Sequence, residues 1–125
     1  MIRRSFSAVS FFVVSLFLFS GSAAAHAHLT GQQPAANARL TASPERVSLT
    51  FSEKLEAAFS DVVLTDTQNK AVFNSASTGN EVTKNGNQIT VSLTKPLPAG
   101  DYKVNWHVLS VDGHKTKGTY TFSVE

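Results

Sequence analysis

The sequence predicts an all-β domain, a seven-stranded Greek-key β-sandwich of the immunoglobulin-like kind. Two observations predict it: apolar and polar side chains alternate in several short segments, and clusters of turn-forming residues separate these segments at roughly 8–12-residue intervals. The length of 125 residues is that of one domain. A composition of 42% hydrophobic and 16% charged residues is that of a globular protein and excludes a wholly disordered chain.

Alternation with the two-residue period of a half-buried strand is clearest in four segments. These are residues 47–51, 89–93, 102–108 and 119–124. Shorter strands are predicted at residues 29–33, 61–65 and 71–73. Residues 53–59 form the one helical candidate, and they are long enough for only a single turn. Trp106 shares a strand face with Val104 and Val108, so we expect it in the core.

Proline, glycine, asparagine and serine cluster between these segments and mark the turns. The clusters lie at Pro34, Pro44, residues 77–80, residues 85–87 and residues 96–100. Seven strands spaced in this way over about 100 residues are typical of a Greek-key sandwich. The chain contains no cysteine, so the packed core must stabilise the domain without disulfides.

The first 25 residues have the three parts of a secretory signal peptide. Two arginines among the first four residues give a basic start, residues 6–19 are largely apolar, and residues 20–25 end in three alanines. We therefore expect cleavage after Ala25, which leaves residues 26–125 as the mature domain. An uncleaved membrane anchor is the alternative, but the apolar segment is shorter than the roughly 20 residues that span a bilayer.

The net charge of the chain falls to zero when the predicted signal peptide is left out. The whole chain has a formal charge of +2 and a pI of about 9.1, values that suggest nucleic-acid or membrane-surface partners. Two of its eleven basic residues lie in the signal, so the remaining 100 residues carry nine basic and nine acidic side chains. Their longest basic cluster is residues 115–117, and we expect no nucleic-acid partner.

Cleavage after Ala25 would place His26 at the N-terminus of the mature chain. An N-terminal histidine offers a primary amine and an imidazole, which can close a chelate ring around one metal ion. Their ordinary pKa values, about 7.7–8.0 and about 6.5, make both groups available as neutral donors near neutral pH. The chain has no cysteine, and its one methionine, Met1, belongs to the signal. With soft sulfur ligands excluded, nitrogen donors of this kind favour Cu(II).

A second half-site is predicted in Asp112-Gly113-His114. In an extended segment, residues two apart face the same way, so this carboxylate and this imidazole would converge. Together with His26 they would supply three nitrogens and one oxygen, a tetragonal donor set suited to Cu(II). Asp-Gly is also a common hairpin-turn dipeptide, and a plain turn between two strands is the alternative interpretation.

The other two histidines have competing interpretations. A free amine followed by a histidine at the third position, here His28, can wrap Cu(II) with two deprotonated backbone amides. This chelate would compete with His26 for the same amine, unless a strand over residues 27–33 engages those amides and leaves His28 as an exposed strand residue. His107 falls on the polar face of its strand, opposite Trp106, and we expect a surface or rim histidine with at most a supporting role.

Five segments of the expected mature chain combine into a recognisable signature. They are residues 26–29 (HAHL), 34–38 (PAANA), 49–52 (LTFS), 106–118 (WHVLSVDGHKTKG) and 120–124 (YTFSV). With these segments the whole mature chain resembles the CopC family of exported copper-binding proteins, and within it the YobA-like branch. The most specific parts are the segment 106–118 and the N-terminal histidine.

The resemblance implies a cupredoxin-like β-sandwich in the bacterial periplasm that binds one Cu(II) per chain. The family ligands are the N-terminal histidine, through amine and ring, and the Asp and His of an Asp-x-His motif; they correspond to His26, Asp112 and His114. The resemblance also implies a role in copper homeostasis or resistance, by sequestration or delivery, with a CopD-like inner-membrane copper transporter as partner. Some members carry a methionine-rich loop for Cu(I), which this chain lacks, so we expect Cu(II) binding only.

Two alternative functions are compatible with the residues. A mono-copper oxidoreductase would use a histidine-brace-like site, but a domain of about 100 residues leaves little substrate surface, and Tyr102, Trp106 and Tyr120 lie on predicted core faces. A plain β-sandwich adhesion or interaction module would have ordinary histidines and no bound metal. We expect a monomeric copper-binding protein that is not an enzyme.

Overall fold

The computed structural model describes residues 27–76 and 81–125. The predicted signal peptide, its cleavage point after Ala25 and the predicted ligand His26 lie outside the described residues. Within the two described ranges, no helix is long and apolar enough to cross a membrane.

Strands dominate the described chain, with a single short 3-10 turn among them. The strands are β1 (Leu29–Gln33), β2 (Arg39–Leu40), β3 (Arg46–Phe51), β4 (Asp61–Thr65), β5 (Ala71–Asn74), β6 (Glu81–Asn85), β7 (Gln88–Ser92), β8 (Gly100–Leu109) and β9 (Lys115–Val124). The 3-10 turn spans Ala57–Phe59, within the segment where the sequence predicts one helical turn. Side chains along β3 alternate between buried and more exposed positions, because successive residues of a strand point to opposite faces.

The strands form two sheets that pack as a sandwich, which confirms the predicted all-β architecture. One sheet has the order β1-β3-β7-β6 and the other the order β2-β9-β8-β4-β5. Strands distant in sequence are neighbours in both sheets, as Greek-key connections require. The longest antiparallel pairing joins β8 to β9, from Gly100 opposite Val124 to Leu109 opposite Lys115. This hairpin carries the predicted site residues Asp112 and His114 in its turn.

The predicted number of seven strands is wrong, because the described residues also contain β2 and β6. β2 is two residues long, too short to show alternation, and becomes a strand by pairing in parallel with the end of β9. β6 has one apolar residue, Val82, which lies opposite Val91 of β7. Both strands lie at sheet edges, where main-chain pairing rather than a buried side-chain pattern defines the element.

The core lies between the two sheets, and Trp106 packs at its edge. Its indole ring meets Phe51 edge to face, with ring centroids 5.1 Å apart and an interplanar angle of 71°. On the neighbouring strand Gly118 lies opposite Trp106, and a Cβ atom at this position would overlap the indole ring. Trp106 therefore packs against the core as the sequence predicts, but it is only partly buried and does not lie among the fully buried core residues. Because Gly118 has no side chain, the indole ring can lie directly against its backbone.

Replacing Gly118 with alanine should destabilise the fold by about 1–3 kcal/mol, because the added methyl group displaces the Trp106 ring. Urea unfolding followed by tryptophan fluorescence measures the change. Gly31→Ala is the matched control: its added Cβ atom would meet Thr50 at an ordinary 3.6 Å, so we expect a neutral or slightly stabilising effect. A Gly118→Ala variant as stable as the parent would contradict this packing.

Candidate metal site

Asp112 and His114 lie in the turn that joins β8 to β9. Two backbone hydrogen bonds close this turn, from Gly113 N to the Ser110 oxygen and from Ser110 N to the His114 oxygen, each 2.9 Å long. Gly113 has a φ of 92°, a left-handed conformation that favours glycine. Asp112-Gly113 is therefore part of a turn, and the expectation that an extended segment aligns Asp112 with His114 is wrong.

The turn nevertheless brings the carboxylate and the imidazole together. Asp112 Oδ1 lies 3.1 Å from His114 Nδ1, and the two side chains are 40% and 44% exposed. A hydrogen bond from the Ser110 hydroxyl to Asp112, together with the contacts to His114, outweighs desolvation and lowers the pKa of the Asp112 carboxyl. An ionised carboxylate and an imidazole thus lie side by side at the surface. This pair has the oxygen and nitrogen chemistry of metal ligands.

Ser110 supports this turn from the protein interior. Only 1% of its surface is exposed, and its hydroxyl oxygen accepts a hydrogen bond from His114 N over 3.2 Å. No sequence pattern distinguishes Ser110 from the other serines of the chain, so the sequence does not predict these hydrogen bonds. The signal that identifies it is burial beside Asp112, and burial depends on the tertiary fold.

The first described residue is anchored beside the same turn. Ala27 is completely buried, and its carbonyl oxygen accepts a hydrogen bond of 2.7 Å from the Thr116 hydroxyl. Thr116 belongs to β9 and follows His114 by two residues. Of the three predicted ligands, the structure brings Asp112 and His114 together, and His26 lies outside the described part. Across residues 27–76 and 81–125, no three His, Asp or Glu side chains form a metal-binding group.

His28 is exposed and closely bonded to Ser52. The His28 amide donates to the Ser52 hydroxyl over 3.0 Å, and the His28 ring nitrogen Nδ1 lies 3.1 Å from the same oxygen. In the reverse direction, the Ser52 amide donates to the His28 carbonyl over 2.9 Å. An amino-terminal chelate through His28 needs a deprotonated His28 amide, so it would have to break the first of these bonds.

His107 lies on the outer face of its sheet, as the sequence predicts. Its Nε2 atom is 3.7 Å from Asp61 Oδ2, and the ring is 59% exposed. Asp61 also accepts hydrogen bonds from Ser75 Oγ at 2.7 Å and from Lys84 Nζ at 3.0 Å. Burial opposes the ionisation of Asp61, but these bonds and the charge of Lys84 outweigh it and lower the pKa of the carboxyl.

Residues 29–125 match a sequence profile of the CopC domain. The chain belongs to the CopC family. Protein YobA of Escherichia coli strain K12 is similar to it, with 46% identity over 113 residues that cover 90% of each chain.

Two solved structures share the fold of this CopC-family chain. The crystal structure of CopC from Methylosinus trichosporium OB3b matches with a TM-score of 0.70 and 32% identity, covering 80% of this chain and 94% of that one. The crystal structure of PcoC, a methionine-rich copper resistance protein from Escherichia coli, matches with a TM-score of 0.65 and 32% identity, covering 80% and 99%. The family and the sandwich predicted from the sequence are confirmed. PcoC is methionine rich, whereas the one methionine of this chain is Met1.

Asp61→Asn should lower the free energy of unfolding at neutral pH by about 1–2 kcal/mol, because Lys84 and Ser75 lose a charged acceptor. Since the folded-state pKa of Asp61 is lowered, its contribution is present above the ordinary aspartate value of about 3.9 and is lost as the pH falls through the folded-state value. Urea unfolding should therefore show the parent and the variant converging in stability on acidification. Asp101→Asn, at an exposed position, serves as the control and should be as stable as the parent at neutral pH. A stability gap independent of pH would count against the ion-pair description.

Proposed function

We propose that this CopC-family chain is an exported copper-binding protein of copper homeostasis, which holds one Cu(II) ion at the β8–β9 turn. His26 would contribute its α-amine and its imidazole, Asp112 a carboxylate oxygen and His114 an imidazole nitrogen. The observation that carries the proposal is the contact of 3.1 Å between the Asp112 carboxylate and the His114 imidazole. The description of the similar PcoC as a copper resistance protein supports copper as the metal.

The anchoring of Ala27 supports a site shared by the proposed mature N-terminus and β9. His26 directly precedes Ala27 in the sequence, and consecutive Cα atoms are about 3.8 Å apart. The Ala27 carbonyl is bonded to Thr116, two residues from His114. This position of Ala27 supports the proposal that the residue before it, His26, completes the site with Asp112 and His114.

The chemistry of the donors supports Cu(II) in particular. Neither thiolate nor thioether is available beyond Met1, and soft sulfur ligands are what Cu(I) prefers. Nitrogen and carboxylate donors suit Cu(II), which heads the affinity order of the divalent first-row metals for such sites. Asp112 is ionised at neutral pH, as an ordinary aspartate is, and its lowered pKa favours that form further. A cation that replaces the hydrogen bond between His114 and Asp112 would therefore displace the imidazole proton of that bond and no proton from the carboxyl.

Export and transfer complete the proposal. Residues 1–25 would direct the chain to the periplasm, and cleavage after Ala25 would create the α-amine of His26. We propose that the mature monomer binds copper as cargo and exchanges it with a CopD-like inner-membrane transporter, and that it catalyses no reaction. The hydrogen bond from the His28 amide to Ser52 favours the site formed by His26, Asp112 and His114 over a chelate formed by residues 26–28 alone.

His114→Ala and Asp112→Ala should each weaken Cu(II) binding by more than about tenfold, because each removes a proposed ligand. Mutating a residue that merely orients a ligand typically lowers metal affinity by about 10- to 100-fold. Competition with a chromophoric chelator measures the affinity, and electron paramagnetic resonance (EPR) reports the donor set. His107→Ala is the matched control, since His107 pairs with Asp61 on the outer sheet face, and it should bind as the parent does. Parental affinity in both Asp112 and His114 variants would refute the proposed site.

An extra methionine ahead of His26 should also weaken Cu(II) binding by more than about tenfold, because it moves the α-amine away from the His26 ring and opens the chelate. Native mass spectrometry of the processed and the extended proteins measures both the mature N-terminus and the copper stoichiometry, which should be one per processed chain. His28→Ala should leave binding unchanged. Loss of Cu(II) binding in His28→Ala together with full binding in His114→Ala would instead establish an amino-terminal chelate formed by residues 26–28.

A further inference from the structure

Ser110 is one of two buried polar residues in the described chain, and it lies directly beneath the proposed copper ligands. It follows the last residue of β8 and pairs with Leu55 in an isolated β-bridge. Its side chain is as enclosed as those of the core valines, with 1% of its surface exposed. A hydroxyl so deeply buried has few possible partners, and the partners of this one are Asp112 and His114.

The Ser110 hydroxyl can donate to one of these two residues and accept from the other. A serine hydroxyl has one hydrogen to donate and two lone pairs that can accept. The His114 carbonyl already receives the Ser110 amide hydrogen, so the hydroxyl hydrogen is directed to Asp112 Oδ1, the closer and negatively charged acceptor. The hydroxyl oxygen accepts from His114 N. One buried atom therefore links the carboxylate of Asp112 to the backbone of His114.

We propose that Ser110 is a positioning residue for copper, which holds the Asp112 carboxylate next to the His114 imidazole so that both can bind the same ion. The inference rests on the proposed function, because it requires Asp112 and His114 to be ligands. Asp112 stands on an exposed turn, where a free side chain would sample several rotamers. The bond from the buried hydroxyl restrains it before the metal arrives, which reduces the entropy lost on binding.

Ser110→Ala should weaken Cu(II) binding about tenfold or more, the usual effect of removing a group that orients a metal ligand. The EPR spectrum of the bound copper should shift as well, because an unrestrained Asp112 changes the oxygen donation to the ion. Chelator competition and EPR on the processed protein, with circular dichroism of the metal-free form to establish folding, measure these effects. Ser110→Thr keeps the hydroxyl and should restore most of the affinity and the parental spectrum.

Ser60→Ala is the matched control. Ser60 is the other buried polar residue of the described chain, and its hydroxyl donates to the Glu56 oxygen over 2.9 Å and accepts from Leu109 N over 3.1 Å. It therefore supports the neighbouring loop without contacting Asp112 or His114. This variant should lose stability on heating yet keep the affinity and the EPR spectrum of the parent.

Three results would overturn the role of Ser110. The first is parental affinity and spectrum in Ser110→Ala. The second is a loss of affinity in Ser110→Ala and Ser60→Ala that merely follows their loss of stability. The third, which needs no variant to fold, is a crystal structure of the copper-loaded protein in which the Ser110 hydroxyl points away from Asp112. Parental binding in Asp112→Ala would instead remove the proposed site itself, and Ser110 with it.

Discussion

The register between β8 and β9 is the constraint on which both the core and the candidate site depend. The two strands pair without interruption from Gly100 and Val124 to Leu109 and Lys115. Because side chains alternate along a strand, this pairing directs one set of residues inward and the other outward. A slip by one residue would turn the inward set to solvent and would separate Trp106 from Gly118, the glycine that accommodates its ring. The same slip would change the length of the turn that carries Asp112 and His114.

The turn is also held from the side by the segment that follows β3. Glu56 N donates to the Leu109 oxygen over 2.8 Å, and Val111 N donates to the Lys54 oxygen over 3.0 Å. The buried hydroxyls of Ser60 and Ser110 satisfy amides of residues 109 and 114 where the strand pairing ends. These bonds make the end of the hairpin part of the folded framework rather than a loose loop. Donor groups on such a framework are restrained before a ligand binds, which favours affinity.

Two carboxylates near this end of the sandwich differ in what surrounds them. Asp61 is 17% exposed and already accepts from Ser75 and Lys84, with His107 nearby. A cation approaching Asp61 would meet the ammonium group of Lys84, so this carboxylate has a structural role. Asp112 is 40% exposed, and its neighbour is an imidazole that can itself bind a metal. The contrast supports Asp112, rather than Asp61, as the proposed metal ligand.

The amino-acid sequence by itself predicted the β-sandwich, the packing of Trp106 against the core, the CopC family and the proximity of Asp112 to His114. They can be read from the order of residues along the chain, either as the alternation of side chains along a strand or as short motifs, several of which together indicate the family. Only the tertiary structure decided that edge strands β2 and β6 exist, that a turn rather than an extended segment joins Asp112 to His114, and that Ser110 supports both. The anchoring of Ala27 by Thr116 joins residues 89 positions apart. No local pattern encodes such a contact, since it exists only after both sheets have packed.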